Sequence, residues 1–439
     1  MPAANRCFPL ASKPRSIQWR MFMKEMVSSR GDTKSKGLTP GGMIGASVLR
    51  PDAVDKVRGE AKYVGDLVFT GMLYGRIIRS TVPHARVRGI NLSRVESAPS
   101  VVCTVTSDDV PGENVVQVIY DDQPALAKEI VRYIGEPIAL VAARDRISAE
   151  HAAKLAVIDY EPLPVVSDPM IALSEDAPAV AVPAVVEEGK NVFNHMRLRK
   201  GDVEGGFAQA DVIVEGEYST GYQEHAYLET QGAIAVPDEN GSMTIYGSMQ
   251  CPFYVQGAVA RVLGLPLSKV RVVQTTTGGA FGGKEDVPSL VSSLAALMAW
   301  KARRPVKLIY DRSEDILTSS KRHPAIVHYK SGAKRDGTIT AIEVEFVYNA
   351  GAYQTLSSAV LWRGLVHAAG PYRIPNVKVD AYSVATNTVP CGAFRGFGSP
   401  QVIFAHESQM DKLAEKLGSI AWRSAAATSS RKATRRART

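Results

Sequence analysis

Between residues 57 and 166 the apolar positions come in short runs divided by turn formers. Residues 71–80 and 101–106 crowd β-branched side chains between Gly, Ser and Pro, and residues 135–142 are nearly all apolar, so all three predict strands. Residues 145–155 set Ala and Leu on one side, which predicts a helix with Ser148 at its N-cap. Residues 157–160 predict a returning strand that Pro162 and Pro164 stop. Beyond it, residues 171–190 are rich in Ala, Pro, Val and acids and predict an extended linker with few anchoring side chains.

A second patterned region starts at residue 191. Strands are expected at 212–218, 232–236, 243–247, 269–274, 306–310 and 339–348, with helices at 254–263, 289–300 and 401–417. The period then vanishes: residues 419–439 contain no acid and no apolar spacing, and predict a basic tail that packs as no further element. Residues 1–42 are equally unpatterned and predict a disordered basic leader without a secretory h-region. No apolar stretch approaches the ~18 residues that cross a bilayer. The pattern therefore divides the chain into a leader (1–42), an α+β domain (43–170), a linker (171–190), a second α+β region (191–418) and a tail (419–439).

Composition excludes disorder throughout: of 439 residues, 45% are hydrophobic and 22% charged. The net charge of +8 sits at the ends, because residues 1–39 and 419–439 each carry +6 and leave −4 for residues 40–418. The body therefore has no basic surplus for nucleic acid, and a nucleic-acid reading rests on the two ends alone. Cys7, Cys103, Cys251 and Cys391 are too dispersed for a zinc or iron–sulfur cluster, and their sparseness suits a reducing, cytoplasmic compartment.

The strongest local signal is Thr275-Thr276-Thr277-Gly278-Gly279-Ala280-Phe281-Gly282-Gly283-Lys284-Glu285. Gly278, Gly283 and Lys284 have P-loop spacing, yet Glu285 stands where a hydroxyl must ligate Mg²⁺ and would repel phosphate. What survives is a strand-to-helix connection whose amides can approach an oxygen-rich cofactor without interference from Cβ atoms. A second segment, Pro390-Cys391-Gly392-Ala393-Phe394-Arg395-Gly396-Phe397-Gly398-Ser399-Pro400-Gln401, leads into another helix. Two loops combining Gly and Phe suit a flat substrate beside a large polar cofactor, with amides for anionic groups and ring faces for stacking.

These loops, with Gln223-Glu224-His225-Ala226-Tyr227-Leu228-Glu229-Thr230-Gln231 and Tyr133-Ile134-Gly135-Glu136-Pro137-Ile138-Ala139-Leu140-Val141, resemble the molybdenum subunit of the xanthine dehydrogenase/aldehyde oxidase family. The resemblance covers about residues 43–418. It implies a hammerhead-like domain followed by the first half of a molybdopterin-binding region. It also implies an oxidoreductase of purine catabolism type that inserts oxygen from water into a C–H bond of an N-heterocycle or aldehyde. Its molybdenum–molybdopterin, in the plain or the cytosine dinucleotide form, is held through the pterin dithiolene with no metal ligand from side chains. Electrons leave through 2Fe-2S and FAD partner subunits.

Position by position, the resemblance places Gln250 near an oxo ligand of the metal and Gly279, Phe281 and Gly282 in the loop that meets the metal's ligands. Arg395 matches a pterin-side contact and Phe397 a ring on the substrate edge. Glu285 matches a substrate-binding carboxyl, and Arg363 an arginine that offsets negative charge on a purine oxygen. Glu285 with Arg363 points to hypoxanthine or xanthine first, nicotinate-like rings next and aldehydes last, since a charged pair is costly to bury against an apolar chain. The plainer alternatives are that Glu285 caps its helix, Arg363 is a surface residue and Phe397 belongs to a core. Cys391 lacks the loop setting of the carbon monoxide dehydrogenase branch and is expected to be an ordinary buried thiol.

Family members run several hundred residues further, through most pterin-binding loops and the glutamate that serves as general base. The chain alone is therefore expected neither to hold the cofactor tightly nor to turn over. It would need a second half, and its tail resembles a frameshifted or truncated reading frame. The competing description is a non-catalytic relic or assembly fragment.

Overall fold

The computed structural model describes residues 47–116 and 118–418. The expected leader (1–42) and tail (419–439) lie outside the described residues. Residues 47–61 form a unit of their own, in which helix α1 (Ala53–Arg58) ends at Gly59 in the left-handed region, φ 74°.

From residue 62 the chain first lays down strands β1 (Leu73–Arg79), β2 (Ala85–Asn91), helix α2 (Ser93–Glu96), β3 (Val101–Val105), β4 (Ile130–Val131), β5 (Pro137–Ala143), helix α3 (Arg146–Ala153) and β6 (Val157–Pro162). The strand at β5 follows from its composition: all seven positions are buried, as a run without polar residues requires. The cap of α3 differs from expectation. The Asp145 carboxylate accepts the Ser148 N–H at 2.8 Å, so Asp145 is the N-cap and Ser148 lies inside the first turn.

The segment expected as a loose linker is anchored. It holds helix α4 (Pro169–Leu173), and Ala172, Val180 and Ala181 are buried in one cluster with Phe193 and Val347. Asn191 ties it down further, accepting from the Val180 N–H at 2.8 Å and donating to the Pro178 carbonyl at 3.0 Å. Small apolar side chains spaced along the stretch seal it onto the domain that follows, which a polyproline-like composition conceals.

That domain comprises β7 (Val192–Lys200), α5 (Val203–Ala208), β8 (Val212–Thr220), β9 (Gly232–Pro237), β10 (Met243–Gly247), α6 (Pro252–Leu263), β11 (Val270–Gln274), α7 (Val287–Ala302), β12 (Val306–Ile309), α8 (Arg312–Thr318), β13 (Ala325–Ala333), β14 (Ile339–Gly351), α9 (Ser357–His367), β15 (Asn376–Ala385) and α10 (Ser399–Lys416). One sheet, β7-β15-β14-β13-β8, buries Val327, Tyr329, Val344 and Val379 with side chains of α9 and α10 on one face. Its other face carries cross-strand pairs such as Lys330–Glu215 and Lys378–Glu343.

The larger sheet, β11-β10-β9-β12-β1-β5-β3, crosses from the first patterned region into the second. The joint is parallel pairing of Leu73 with Val306 and Tyr74 with Lys307. Leu73, Leu140, Ile245, Val291 and Leu294 share one core around α7, which is buried from Pro288 to Ala299. A helix apolar on all sides is a buried one, and no described helix is long and apolar enough to cross a membrane.

Candidate functional site

Each Gly-rich loop leaves a sheet and opens a helix. Residues 275–286 run from β11 of the larger sheet to α7, and residues 386–398 run from β15 of the smaller sheet to α10. The two loops meet backbone to backbone. The Arg395 N–H donates to the Phe281 carbonyl at 2.9 Å, and a Cβ on Gly282 would lie 2.6 Å from the Ala393 carbonyl oxygen. With φ at +105°, position 282 is open only to glycine on both counts.

Between the loops is a pocket of about 300 Å³ lined by Gln250, Phe281, Gly282, Glu285, Arg395 and Phe397, with Ala393, Phe394 and Gly396. Six expected site residues are thus brought together. Arg363 stands at the margin: its guanidinium carbon is 5.9 Å from the Phe397 ring centroid, and it forms no ion pair with Glu285. Gly279 is not in the lining; it turns the chain with φ +97° above Tyr227.

The pocket's parts are held individually. Gln250 donates its backbone N–H to the Lys284 carbonyl at 2.7 Å, and its Oε1 accepts the Gly282 N–H at 3.0 Å, which leaves its side-chain NH₂ free to donate. Phe281 and Phe397 both adopt left-handed backbone, φ 55° and 50°, a conformation rare and costly for aromatic residues that the loop contacts enforce. Glu285 accepts no hydrogen bond from a described residue, and burial pushes its carboxyl above the usual range. It does not cap α7, because Asp286 does, with its carboxylate accepting the Val287 N–H at 3.0 Å. Phe397 packs on the edge of the smaller sheet's core while also lining the pocket.

Residues given no site role in the sequence analysis support this frame. Lys284, the would-be phosphate lysine, is fully buried; its Nζ is 3.0 Å from Glu229 Oε2 and 3.0 Å from Ser248 Oγ. The same Glu229 oxygen accepts the Gly278 N–H at 2.7 Å. Burial pulls the Lys284 pKa down while Glu229 opposes it. His225 is wedged between the loops: its Nε2 donates to the Ala393 carbonyl at 2.8 Å, and its ring stacks on Phe394 at 4.3 Å. A Cβ on Gly283 would approach that ring to 2.7 Å. His225, Glu229, Gly283 and Lys284 stand in the segments 223–231 and 275–285, which was their advance sign; Ser248 stands in neither.

An oxygen-rich group fits here. The N–H groups of Gly279, Ala280 and Phe281 donate to no described residue, and of these Phe281, with the unpaired Gln250 NH₂, lines the pocket. Cys391 is fully buried and its thiol is held well above its ordinary pKa by burial, as expected of an inert thiol. A larger groove, about 680 Å³, lies along β1, α3 and α8, but its Arg76 and Arg79 are already paired by Glu150 and Glu314.

Residues 58–164 match the family described as aldehyde oxidase and xanthine dehydrogenase, a/b hammerhead domain, and residues 185–423 match the molybdopterin cofactor-binding domain. The chain is 40% identical over 376 residues to the nicotinate dehydrogenase large molybdopterin subunit of Eubacterium barkeri, spanning 86% of this chain and 87% of that one. It is 40% identical over 372 residues to a probable xanthine dehydrogenase subunit of Bacillus subtilis, spanning 85% of this chain but 49% of that relative. The aldehyde oxidoreductase of Desulfovibrio gigas superposes with a TM-score of 0.81 at 32% identity, over 88% of this chain and 43% of its own. The chain thus spans most of the first relative and about half of the other two. With both domain families matched in order and the Gly-rich loops meeting at one pocket, the chain belongs to the xanthine dehydrogenase/aldehyde oxidase family of molybdenum hydroxylases.

Proposed function

We propose that this chain supplies the hammerhead and the first half of the cofactor cradle of a molybdenum hydroxylase that oxidises an N-heterocycle such as hypoxanthine or xanthine. The observation that carries the reading is the convergence of Gln250, Glu285 and Phe397 on one pocket, with Arg363 over the Phe397 ring. When bound, molybdenum–molybdopterin supplies the oxygen-transfer and electron-accepting chemistry.

The residues of this chain have separable tasks. The loop of Gly279, Phe281 and Gly282 and the backbone beside Arg395 would hold the cofactor. The Gln250 NH₂, unpaired among the described residues, would donate to the bound cofactor. Phe281 and Phe397 present ring surfaces that orient a flat substrate and exclude water from one edge. Glu285, whose carboxyl burial holds above its usual range, bonds a ring nitrogen or oxygen, and Arg363 offsets negative charge that grows on the far side of the ring.

2Fe-2S and FAD partner subunits carry the electrons away. In support, the Eubacterium barkeri relative, matched across 87% of its length, is itself named a subunit. That relative also makes a nicotinate-like ring the second reading of the substrate. A non-catalytic fragment is the competing description. The test is to produce the chain with its partner subunits, measure molybdenum, and compare hypoxanthine, xanthine, nicotinate and benzaldehyde. Heterocycle turnover that falls in Glu285→Gln at unchanged molybdenum content is expected. Preferred turnover of benzaldehyde, unaffected by that change, refutes the heterocycle assignment, and absence of bound molybdenum from the full assembly refutes the enzyme reading.

A further inference from the structure

A second pocket, of about 390 Å³, lies at the start of α10 and shares no lining residue with the pocket between the Gly-rich loops. Thr220, Tyr222, Gln223, Arg322, Gln401 and Phe404 are in its wall. Among these is a cation without a counter-charge from the described residues. Arg322 is 7% exposed; its Nε donates to the Gln223 side chain, its Nη2 donates to the Arg395 carbonyl at 2.9 Å, and its guanidinium lies over Phe394 at 4.0 Å. It forms no salt bridge with a described carboxylate, and its Nη1 has no partner. Burial lowers its pKa, opposed only by Tyr348.

Buried charges are ordinarily paired, because an ion taken out of water loses hydration that only a counter-charge or a full set of hydrogen bonds replaces. The neighbouring Lys321 obeys this rule with Glu224 at 2.6 Å; Arg322 does not. Two further polar atoms in the same wall are buried and unpartnered, Gln401 Oε1 (residue exposure 1%) and Thr220 Oγ1. Gln401 and Pro400 belong to the first turn of the 18-residue α10; there the Ser399 N–H is taken by the Gly396 carbonyl at 3.1 Å and Pro400 has none, but the Gln401 N–H donates to no described residue and offers one amide at the helix's positive end. One unpaired cation, a helix amino end, an orphan acceptor and a hydroxyl that both donates and accepts describe the partners of an oxyanion that still carries a proton.

We propose that this pocket is a binding site for a phosphate-class oxyanion, free or as a monoester on a larger ligand. Hydrogen phosphate meets Arg322 and the helix end with its charged oxygens and gives its own O–H to Gln401, which a carboxylate cannot do. Through the Arg322–Arg395 hydrogen bond the occupant also steadies the loop of residues 393–398.

The test is thermal unfolding of the full chain against inorganic phosphate, phenyl phosphate and benzoate, each with chloride adjusted to constant ionic strength. A saturable rise in midpoint with inorganic phosphate is expected for a free-anion site, and a rise with phenyl phosphate alone for a site that takes a monoester. Arg322→Gln abolishes the rise. If that variant does not fold, Gln401→Leu keeps the guanidinium and weakens the phosphate dependence at least tenfold. No saturable rise with either phosphate, an equal rise with benzoate, or an unchanged rise in Gln401→Leu overturns the proposal.

Discussion

Lys284 Nζ and Glu229 Oε2 face each other at 3.0 Å beneath the first Gly-rich loop, and the lysine has no exposed side-chain surface. A buried pair that loses one member leaves an uncompensated charge, at a cost of about 3–5 kcal/mol. Glu229→Gln is therefore expected to lower stability by about 3 kcal/mol in urea unfolding. The double change Lys284→Met with Glu229→Gln should recover part of that loss, and additive losses in the double-mutant cycle would show that the two side chains do not interact.

Glycine substitutions separate the loop junction from ordinary helix surface. Gly282→Ala puts a Cβ 2.6 Å from the Ala393 carbonyl at φ +105°, and a loss of about 2 kcal/mol is expected together with reduced molybdenum in the assembled enzyme. Gly257→Ala, inside α6 with nothing within 4 Å, should gain about 0.5–1 kcal/mol. Denaturant midpoints of the two variants moving in the same direction would contradict the geometry.

Glu136 makes stability pH-dependent. It is fully buried, Tyr353 OH donates to one carboxylate oxygen and the Arg132 N–H to the other, and burial raises its pKa from 4.5 to about 7. A raised carboxyl contributes stability that is complete below pH 4.5 and is lost as pH rises through 7, on the order of 3 kcal/mol in all. Asp122 and Asp286, each raised to about 6, act in the same sense. Urea midpoints for Glu136→Gln should vary less between pH 4.5 and 7.5 than those of the parent chain.

Arg363 is exposed and touches the site only through Phe397, so Arg363→Ala should leave stability within about 0.5 kcal/mol. In the assembled enzyme the same change should lower kcat/KM for xanthine about a hundredfold with molybdenum content unchanged. Steady-state rates equal to those of the parent would remove Arg363 from the substrate side.

Elements rich in apolar or β-branched residues and bounded by turn formers were legible in advance: β1, β5, β9, β10 and α7 all lie where the pattern puts them. The strands β2, β7, β13 and β15 were not, because their outward positions carry charges such as Arg88, Arg199, Lys330 and Lys378. Those charges make sense only once a neighbouring strand supplies Glu161, Asp380, Glu215 and Glu343. The site shows the same division. Gln250, Phe281, Gly282, Glu285, Arg395 and Phe397 stand in or beside two recognisable loops. The left-handed turns at Phe281 and Phe397, the wedge of His225 and the Lys284–Glu229 pair depend on contacts between distant segments, which residue patterns do not carry.

The joint between β1 and β12 governs how the chain can be divided. Because two parallel residue pairs continue one ladder through both halves, cutting the chain between residues 164 and 185 does not free two finished bodies. Each piece would expose a raw sheet edge, a template for pairing with another copy, so separately produced halves should swap strands or aggregate instead of remaining monomeric.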